Sequence, residues 1–403
     1  MHEITPDFKI LEMTKKTLLY FFLILAIAAC NRNNQTGNNQ VPDQETLMKE
    51  AWEDSAKYNY ATRLQSGISN FVQADIETDP VNAGINQDAA DDPAIFRIGG
   101  KIYIAGSNKI GGIHLYDIDG RQLRYYEIGL INNVDTRYII NDNDTILILG
   151  GSNRTDNSLS LIIMGKNNVF SPDDEVYHIP SDLKSIYGFC MYSSKESGLS
   201  YAFANCKSGQ VQQWLIDFGP EGNPIGKEIR KMSVDSQPEG MVADDSTGLL
   251  YIGEEWAGVH IFNAEPDAGN ESEFIEQSSS SNANISYDIE GLAIYRKDTG
   301  GGYLVLSSQG NFSYAVFDLE TNEYLTSFKI NDGAEVDGVE ETDGLDIYDG
   351  YVSEQFPEGI LVVQDGFNYD GKTKRTQNFK IIDWRKIQAL IDGTEDPEYA
   401  EGI

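Results

Sequence analysis

Residues 102–116 read IYIAGSNKIGGIHLY, two short apolar strands around a loop that carries Lys109. The same arrangement returns at residues 146–164, 201–216, 250–262, 304–317 and 361–381, six times in all. The loops carry, in chain order, Lys109, Arg154, Lys207, Glu254 with Glu255, Gln309, and Asp365 with Asn368. Repeated β units of this size usually close radially into a propeller, whose equivalent loops lie on one face. The sequence therefore predicts an all-β fold, a six-bladed β-propeller in a single domain, with these loops around one central site.

The composition of the chain limits its partners. With 64 Asp and Glu against 30 Lys and Arg among 403 residues, the net charge is −34. This balance predicts no binding to nucleic acid, because a polyanion requires a basic surface. Clustered carboxylates instead suit a hard cation such as Ca²⁺, although an acidic surface also serves solubility.

The amino terminus has the features of a targeting segment. Lys15 and Lys16 precede an apolar run over residues 18–29, which is too short to span a membrane. The run ends in IAAC at residues 27–30, which is similar to a bacterial lipobox. We expect residues 1–29 to be a lipoprotein signal, with Met13 as an alternative start, and Cys30 to carry the lipid. The protein would then be exported and membrane-anchored, at the periplasm or the cell surface; the alternative is a plain secretory signal followed by an incidental cysteine.

The rest of the chain divides by composition. An Asn- and Gln-rich stretch opens a flexible tether over residues 30–58, with a short helix expected at residues 45–58. The propeller is expected over residues 59–392, with a tail at 393–403. If the strands around the turn at residues 195–198 pair, Cys190 lies opposite about residue 203. Cys206 is then out of register, and we expect no disulfide between them.

The acidic residues are denser than a surface requires. Asp91 and Asp92 precede an apolar run, Asp288 and Glu290 lie on one side of an extended strand, and residues 332–346 contain seven acids. Like charges at such density repel each other unless a cation or protons intervene. Scattered histidines and the lack of a nucleophile motif disfavour covalent catalysis. If the chain is an enzyme, metal-activated water is the economical mechanism.

Three cations stand out in this acidic chain, at matching loop positions of the first three hairpins: Lys109, Arg154 and Lys207. Lysine is common in hairpin loops, so each alone carries little weight. Together, opposite the acidic loops, they suggest a clamp for an anion such as phosphate, facing a metal cluster.

Ordered motifs over about residues 75–385 match one family: AADDPAI (89–95), NNVDTRY (132–138), SNR (152–154), IYGF (186–189), EGM (239–241), ADD (243–245), DIEGL (288–292), SSQGN (307–311), TDG (342–344), QDG (364–366) and QNFK (377–380). The chain resembles the β-propeller phytases, a calcium-dependent alkaline, 3-phytase-like family. The resemblance implies a six-bladed propeller that binds several Ca²⁺ ions. It also implies hydrolysis of phosphomonoesters of phytate (myo-inositol hexakisphosphate), bound as its calcium complex, by metal-activated water.

The resemblance also assigns residues by matched position. Substrate phosphates would contact Lys109, Arg154 and Lys207, which with Tyr187 and Glu239 form the expected catalytic set. The metal ligands or lining residues would be Tyr187, Glu239, Glu255, Asp288, Glu290 and Asp337, and, at other calcium or site positions, Asp92, Gln309, Asp343 and Asn368.

Two alternatives remain open at this point. One is a non-catalytic propeller receptor that binds inositol phosphates or a glycan in a calcium-dependent way. The other is an enzyme of similar build that cleaves a lactone or a phosphodiester; the cationic clamp argues against the lactone. We expect a monomer, since a propeller buries its core without a partner.

Overall fold

The computed structural model describes residues 44–141, 144–164 and 175–394. By internal contacts the chain forms two units, residues 1–56 and 57–403. The first is described only over residues 44–56, which begin helix α1 (Gln44–Gln65). The predicted helix at residues 45–58 is therefore present and continues to Gln65. The predicted lipoprotein signal, Cys30, residues 30–43 of the tether and residues 395–403 of the tail lie outside the described residues. In the part that is described, no helix is both long and apolar enough to cross a membrane.

The second unit is a six-bladed β-propeller, as predicted. Two short strands, β1 (Asn70–Gln73) and β2 (Ile76–Glu77), precede the blades. Blade 1 contains β3 (Ala90–Ile98), β4 (Lys101–Asn108), β5 (Gly112–Asp117) and β6 (Gln122–Tyr126). Blade 2 contains β7 (Ile131–Asn141), β8 (Asp144–Asn153), β9 (Ser158–Met164) and β10 (Val176–Pro180). Blade 3 contains β11 (Ile186–Ser193), β12 (Ser200–Cys206), β13 (Gln210–Phe218) and β14 (Pro224–Ser233).

The remaining blades follow the same antiparallel order. Blade 4 contains β15 (Pro238–Asp244), β16 (Leu249–Glu254), β17 (Gly258–Asn263) and β18 (Ser272–Phe274). Blade 5 contains β19 (Ile289–Arg296), β20 (Gly302–Ser308), β21 (Ser313–Asp318) and β22 (Tyr324–Asn331). Blade 6 contains β23 (Leu345–Tyr348), β24 (Ile360–Asp365) and β27 (Asn378–Asp383). Between the last two strands lies a small hairpin of β25 (Tyr369–Asp370) and β26 (Thr373–Lys374).

The two amino-terminal strands complete the last two blades. β1 pairs in parallel with β22 of blade 5, and β2 pairs antiparallel with β27 of blade 6. Blade 6 thus takes its outermost strand from the start of the domain, and the inner strands contact one another around the full circle, from β3 through β23 and back to β3. Radial closure of this kind leaves exposed sheet edges only at the outermost strand of each blade.

Apolar side chains between neighbouring blades form the core. Phe189 of blade 3 packs where blade 2 has Gly150, and a side chain there would collide with the phenylalanine ring. Phe379 of blade 6 packs against Gly106 of blade 1, on the opposite face of its blade. Each buried phenylalanine contributes about 1.5–3 kcal/mol through removal of apolar surface from water. Large side chains thus pack against glycines at two of the blade interfaces.

Helix α2 (Trp384–Asp392) ends the described chain. Asp383 caps its start, accepting a 3.0 Å hydrogen bond from the backbone N–H of Arg385, and Gly393 ends it in the left-handed conformation. Its fully buried Trp384 stacks on Tyr295 of blade 5, with ring centroids 4.0 Å apart. The helix thereby holds the end of the chain against the propeller.

The two cysteines confirm the predicted register of blade 3. Cys190 pairs with Phe203 across β11 and β12, and Cys206 pairs with Ile186. Both thiols are buried and free.

Candidate active site

A bulge at the start of five of the six inner strands builds the centre of the propeller. In blades 1 to 5 the pairing with the next strand skips two residues, and the first of each pair is Asp91, Asn132, Tyr187, Glu239 or Glu290. In blade 6, Asp343 takes the corresponding place two residues before the start of β23. A bulge re-aims the side chain of its extra residue. Five of these six side chains line one central cavity, and Asn132 reaches it through a 2.7 Å hydrogen bond to Glu239 Oε1.

The second residue of each bulge explains why the ring is so tight. It is glycine in blades 3 to 6, at positions 188, 240, 291 and 344. A side chain at Gly240 would collide with the backbone oxygen of Glu290, and one at Gly344 with the backbone of Asp91 and Asp92. The glycines therefore let neighbouring inner strands approach closely enough to crowd their acidic side chains.

The cavity encloses about 230 Å³ and is lined almost wholly by charged and polar side chains. Eight carboxylates surround two ammonium groups: Asp88, Asp91, Glu239, Glu255, Asp288, Glu290, Glu341 and Asp343 around Lys57 and Lys109. Tyr187, Gln237, Gln309 and Gln377 complete the lining. Of the predicted site residues, the structure brings together Lys109, Tyr187, Glu239, Glu255, Asp288, Glu290, Gln309 and Asp343.

Three carboxylates form the tightest group within this cavity. One oxygen from each of Glu239, Glu255 and Glu290 lies within 4.8 Å of the other two, and all three residues are buried. Glu290 Oε2 accepts no hydrogen bond from any described residue. Buried carboxylate oxygens without donors are the ligand set that a hard divalent cation requires.

The electrostatics of this group reflect the same crowding. Burial, with the charges of Glu239 and Asp288, raises the pKa of Glu255 to about 9. Burial, together with Glu239, Glu255 and Asp343, also raises the pKa of Glu290 well above its usual range. Desolvation and like charges both disfavour the ionised form. The group therefore holds either protons or a cation.

Lys109 lies deep in the cavity, with its side chain 11% exposed. Its Nζ lies 2.7 Å from Asp88, 3.2 Å from Asp91 and 2.9 Å from Asp343. Burial alone would lower the pKa of Lys109, but these three carboxylates raise it well above its usual range. The charged form of this ammonium group is therefore favoured.

The other two cations of the predicted clamp lie beside the cavity rather than in its lining. Arg154 donates from Nη2 to the backbone oxygen of Lys109 at 2.8 Å. Lys207 Nζ lies 4.0 Å from the centre of the Tyr187 ring, a cation–π contact. The three cations thus follow one side of the cavity, from blade 1 to blade 3.

Three predicted metal ligands lie outside the lining of this cavity: Asp337, Asn368 and Asp92. Asp337 forms an ion pair with Lys380, whose buried side chain also contacts Glu77 and Asp365. Asn368 donates to the backbone oxygen of Thr376 at 2.7 Å. Asp337 therefore does not line the acidic cavity, and its role as a metal ligand stays a prediction.

Asp92 faces the other way from Asp91, as the second residue of its bulge. It lines a separate cavity of about 390 Å³, together with Asp135, Arg137 and Asp346. Its Oδ2 accepts a 3.0 Å hydrogen bond from the N–H of Val134. The residue that points into the site is Asp91.

Sequence reasoning missed six lining residues: Lys57, Asp88, Asp91, Gln237, Glu341 and Gln377. One sequence pattern could have identified Asp91. Directly before the apolar run of each inner strand stand two residues, the first polar and the second either small or polar. Read as a bulge, that pair selects Asp91 over Asp92.

Comparisons with known proteins agree with this arrangement. The sequence model of the Phytase family matches residues 45–400. The chain belongs to the phytase family. A 3-phytase of Bacillus subtilis (strain 168) is 40% identical over 325 residues, which cover 78% of this chain and 84% of that protein. The prediction of a phytase, which releases phosphate from phytate, is confirmed, and membership in the phytase family favours it over a non-catalytic receptor.

Among solved structures, the β-propeller domain of Cps50 (Swd1) from Myceliophteria thermophila is 12% identical, covers 72% of this chain and 82% of its own, and has a TM-score of 0.41. A likeness of this size supports no statement about function.

Proposed function

We propose that the chain hydrolyses phosphomonoesters of phytate in a calcium-dependent reaction, with the metal held by Glu239, Glu255 and Glu290. The observation that carries this proposal is the convergence of these three buried carboxylates within 4.8 Å of one another. All ligands on offer are oxygens, which suits Ca²⁺ better than Zn²⁺ or copper. Asp288, Gln309 and Asp343 line the same cavity and supply oxygen ligands for further ions.

Calcium, when bound, supplies charge neutralisation that lets a polyanion enter, and activates a water for attack on phosphorus. The side chains of this protein bind and orient the phosphate. Lys109, Arg154 and Lys207 hold the phosphoryl oxygens, with Arg154 suited to two parallel hydrogen bonds and the lysines supplying point charge. Developing negative charge on those oxygens is then stabilised by groups already in position.

Tyr187 has a positioning role in this proposal. Its ring supports Lys207, and its hydroxyl belongs to the cavity. Burial, with the charges of Glu239 and Glu290, raises the pKa of Tyr187 well above its usual range. The hydroxyl therefore stays protonated and donates a hydrogen bond to a phosphate oxygen or to an attacking water.

Phosphate release from phytate, with calcium titrated against a chelator, tests the proposal. We expect release only in the presence of calcium. Undiminished release in chelator would overturn the metal dependence. Calcium-dependent binding of phytate without release would instead support the receptor alternative, and faster cleavage of a bis-ester would indicate a phosphodiesterase.

We also propose that the protein is an exported monomer anchored through a lipid on Cys30. The support is the run IAAC at residues 27–30 after a basic and apolar stretch. Replacing Cys30 by Ala is expected to move the protein from the membrane to the soluble fraction. Retention of Cys30→Ala in the membrane would contradict the anchor, and the mass of the released protein tests the monomer.

A further inference from the structure

One side chain in the acidic cavity comes from outside the propeller blades. Lys57 belongs to helix α1, and its Nζ donates a 2.9 Å hydrogen bond to Gln309 Oε1. Gln309 in turn donates to Asp343. Lys57 as a residue is exposed, so its stem lies at the mouth of the cavity while its ammonium group reaches the lining.

The surroundings of this ammonium group are acidic. The carboxylates that act on it electrostatically are, in decreasing order, those of Glu341, Asp288, Asp343 and Glu290. All four line the cavity. Three of them, Asp288, Asp343 and Glu290, are oxygen ligands in the proposed calcium chemistry. Lys57 therefore places a positive charge among carboxylates that are candidate ligands of a metal ion.

Residues 58–65 of helix α1 are held against the propeller by side-chain contacts, so Lys57 is tethered beside the cavity. The Tyr58 hydroxyl donates to Glu340 at 2.8 Å, and its ring contacts Phe367 and Phe312 with centroids 5.3 and 5.9 Å away. One turn further along the helix, Ala61 is buried. Two turns along, Gln65 donates to the backbone oxygen of Phe312 at 3.0 Å. The spacing 58, 61, 65 places these residues on one face of the helix.

The residues that hold the helix adjoin the residues that line the cavity. Glu340 precedes Glu341, and Phe312 follows the turn Gln309–Asn311. Docking of the helix and occupation of the cavity by Lys57 are therefore coupled through the same two loops.

We propose that Lys57 is a tethered cation that competes with the divalent metal for the carboxylates at the mouth of this cavity. The inference rests on the proposed calcium dependence. An ammonium group and a divalent cation repel each other when they share the same ligands. Metal binding therefore requires Lys57 to withdraw. A site that is open in only a tenth to a third of molecules binds about 3- to 10-fold more weakly than the open site.

Isothermal titration of calcium into the chelator-treated full chain, without substrate, tests this proposal. We expect Lys57→Gln to bind calcium about 3- to 10-fold more tightly than the wild type. Lys57→Arg keeps the charge and is expected to bind like the wild type. The matched control is Lys101→Gln, which removes the same charge from an exposed lysine at the start of β4. It is expected to leave the affinity unchanged.

A second variant keeps the test decisive if Lys57→Gln proves unstable. Tyr58→Ala removes the hydroxyl and ring contacts of the helix and is expected to tighten calcium binding in the same direction. Unchanged or weaker calcium binding by Lys57→Gln and Tyr58→Ala would overturn the proposal. The proposal would also be overturned if Lys57→Gln raised the KM for phytate at saturating calcium and left the calcium affinity unaltered. Lys57 would then be a substrate ligand. Failure of the proposed function is distinguishable, because the wild type itself would then show no calcium binding.

Discussion

Lys109 Nζ lies 2.9 Å from Asp343 Oδ2, an ion pair that joins blade 1 to blade 6 inside the central cavity. The pair lies where the ring closes, next to the backbone hydrogen bond from Gly344 to Asp91. A cation of the proposed phosphate clamp and a candidate metal ligand thus neutralise each other in the protein without ligands. In the proposed reaction, calcium would take Asp343 and phosphate would take Lys109, so this ion pair would be replaced by two new ones.

Lys207 offers the clearest test of the clamp. Lys207→Ala removes a cation whose ammonium group contacts the Tyr187 ring. Loss of one preorganised charge at a transferred phosphate typically lowers kcat about 10²- to 10³-fold. We therefore expect Lys207→Ala to lower kcat for phosphate release by this factor and to leave the melting temperature unchanged. Lys195→Ala, in an exposed hairpin turn, is the control, and near-normal turnover of Lys207→Ala would refute the assignment.

Glu290 tests the metal cluster. Glu290→Gln keeps the shape of the side chain and removes one ligand charge, so calcium affinity is expected to fall about tenfold or more. The metal-free variant should be at least as stable as the metal-free wild type, because the ionised form of this buried carboxyl is disfavoured beside Glu239 and Glu255. Calorimetry and thermal melting in chelator measure both effects. Glu196→Gln, outside the cavity, is the control; equal affinity in the two variants would exclude Glu290 as a ligand.

Asp337 is expected to affect stability and not calcium affinity, the reverse of Glu290. Its partner Lys380 has a fully buried side chain and retains Glu77 and Asp365 after the change. Asp337→Asn is therefore expected to lower the free energy of unfolding by about 1–3 kcal/mol and to leave calcium affinity intact. Denaturant unfolding checks the first effect. A loss of calcium affinity at unchanged stability would restore the role that the sequence suggested.

The raised carboxyl pKa values predict how pH acts on the metal-free protein. Burial raises the pKa of Glu255 to about 9, with help from Glu239 and Asp288, and that of Glu341 to about 7, against the effect of Lys57. The folded state then holds protons that the unfolded state has released, so stability falls as pH rises from about 5 to 9. We expect the melting temperature in chelator to decrease over this range.

Calcium should flatten this decline, since the carboxylates then hold a cation in place of protons. Calcium binding at pH 7 should release protons, which appears as a binding enthalpy that depends on the buffer. A melting temperature in chelator that rises between pH 6 and 9 would contradict the assignment of these carboxyl groups.

Local sequence patterns predicted the propeller and much of the site. Six apolar hairpins with polar loops carry local information, and the expected register at Cys190 is the observed one. Loop residues such as Lys109 and Glu255 were found because equivalent loops converge on one face.

The remainder depends on contacts between distant parts of the chain. The choice between Asp91 and Asp92 is made by a bulge that exists only when β3 pairs with β4. The completion of blades 5 and 6 by β1 and β2 joins residues more than 250 positions apart. Lys57 enters the cavity from a helix with no hairpin signal. Asp337 lies outside the cavity lining and pairs with Lys380, a residue of a distant strand.

Anomalous diffraction from crystals soaked in a calcium salt tests the central claim most directly. The bulges at Glu239 and Glu290, with Glu255 beside them, are expected to hold an ion at about 2.3–2.6 Å from their oxygens. A peak at that place, absent from crystals soaked in chelator, is the predicted result. Calcium-dependent phosphate release by a protein whose crystals show no ion among these three carboxylates would contradict the account.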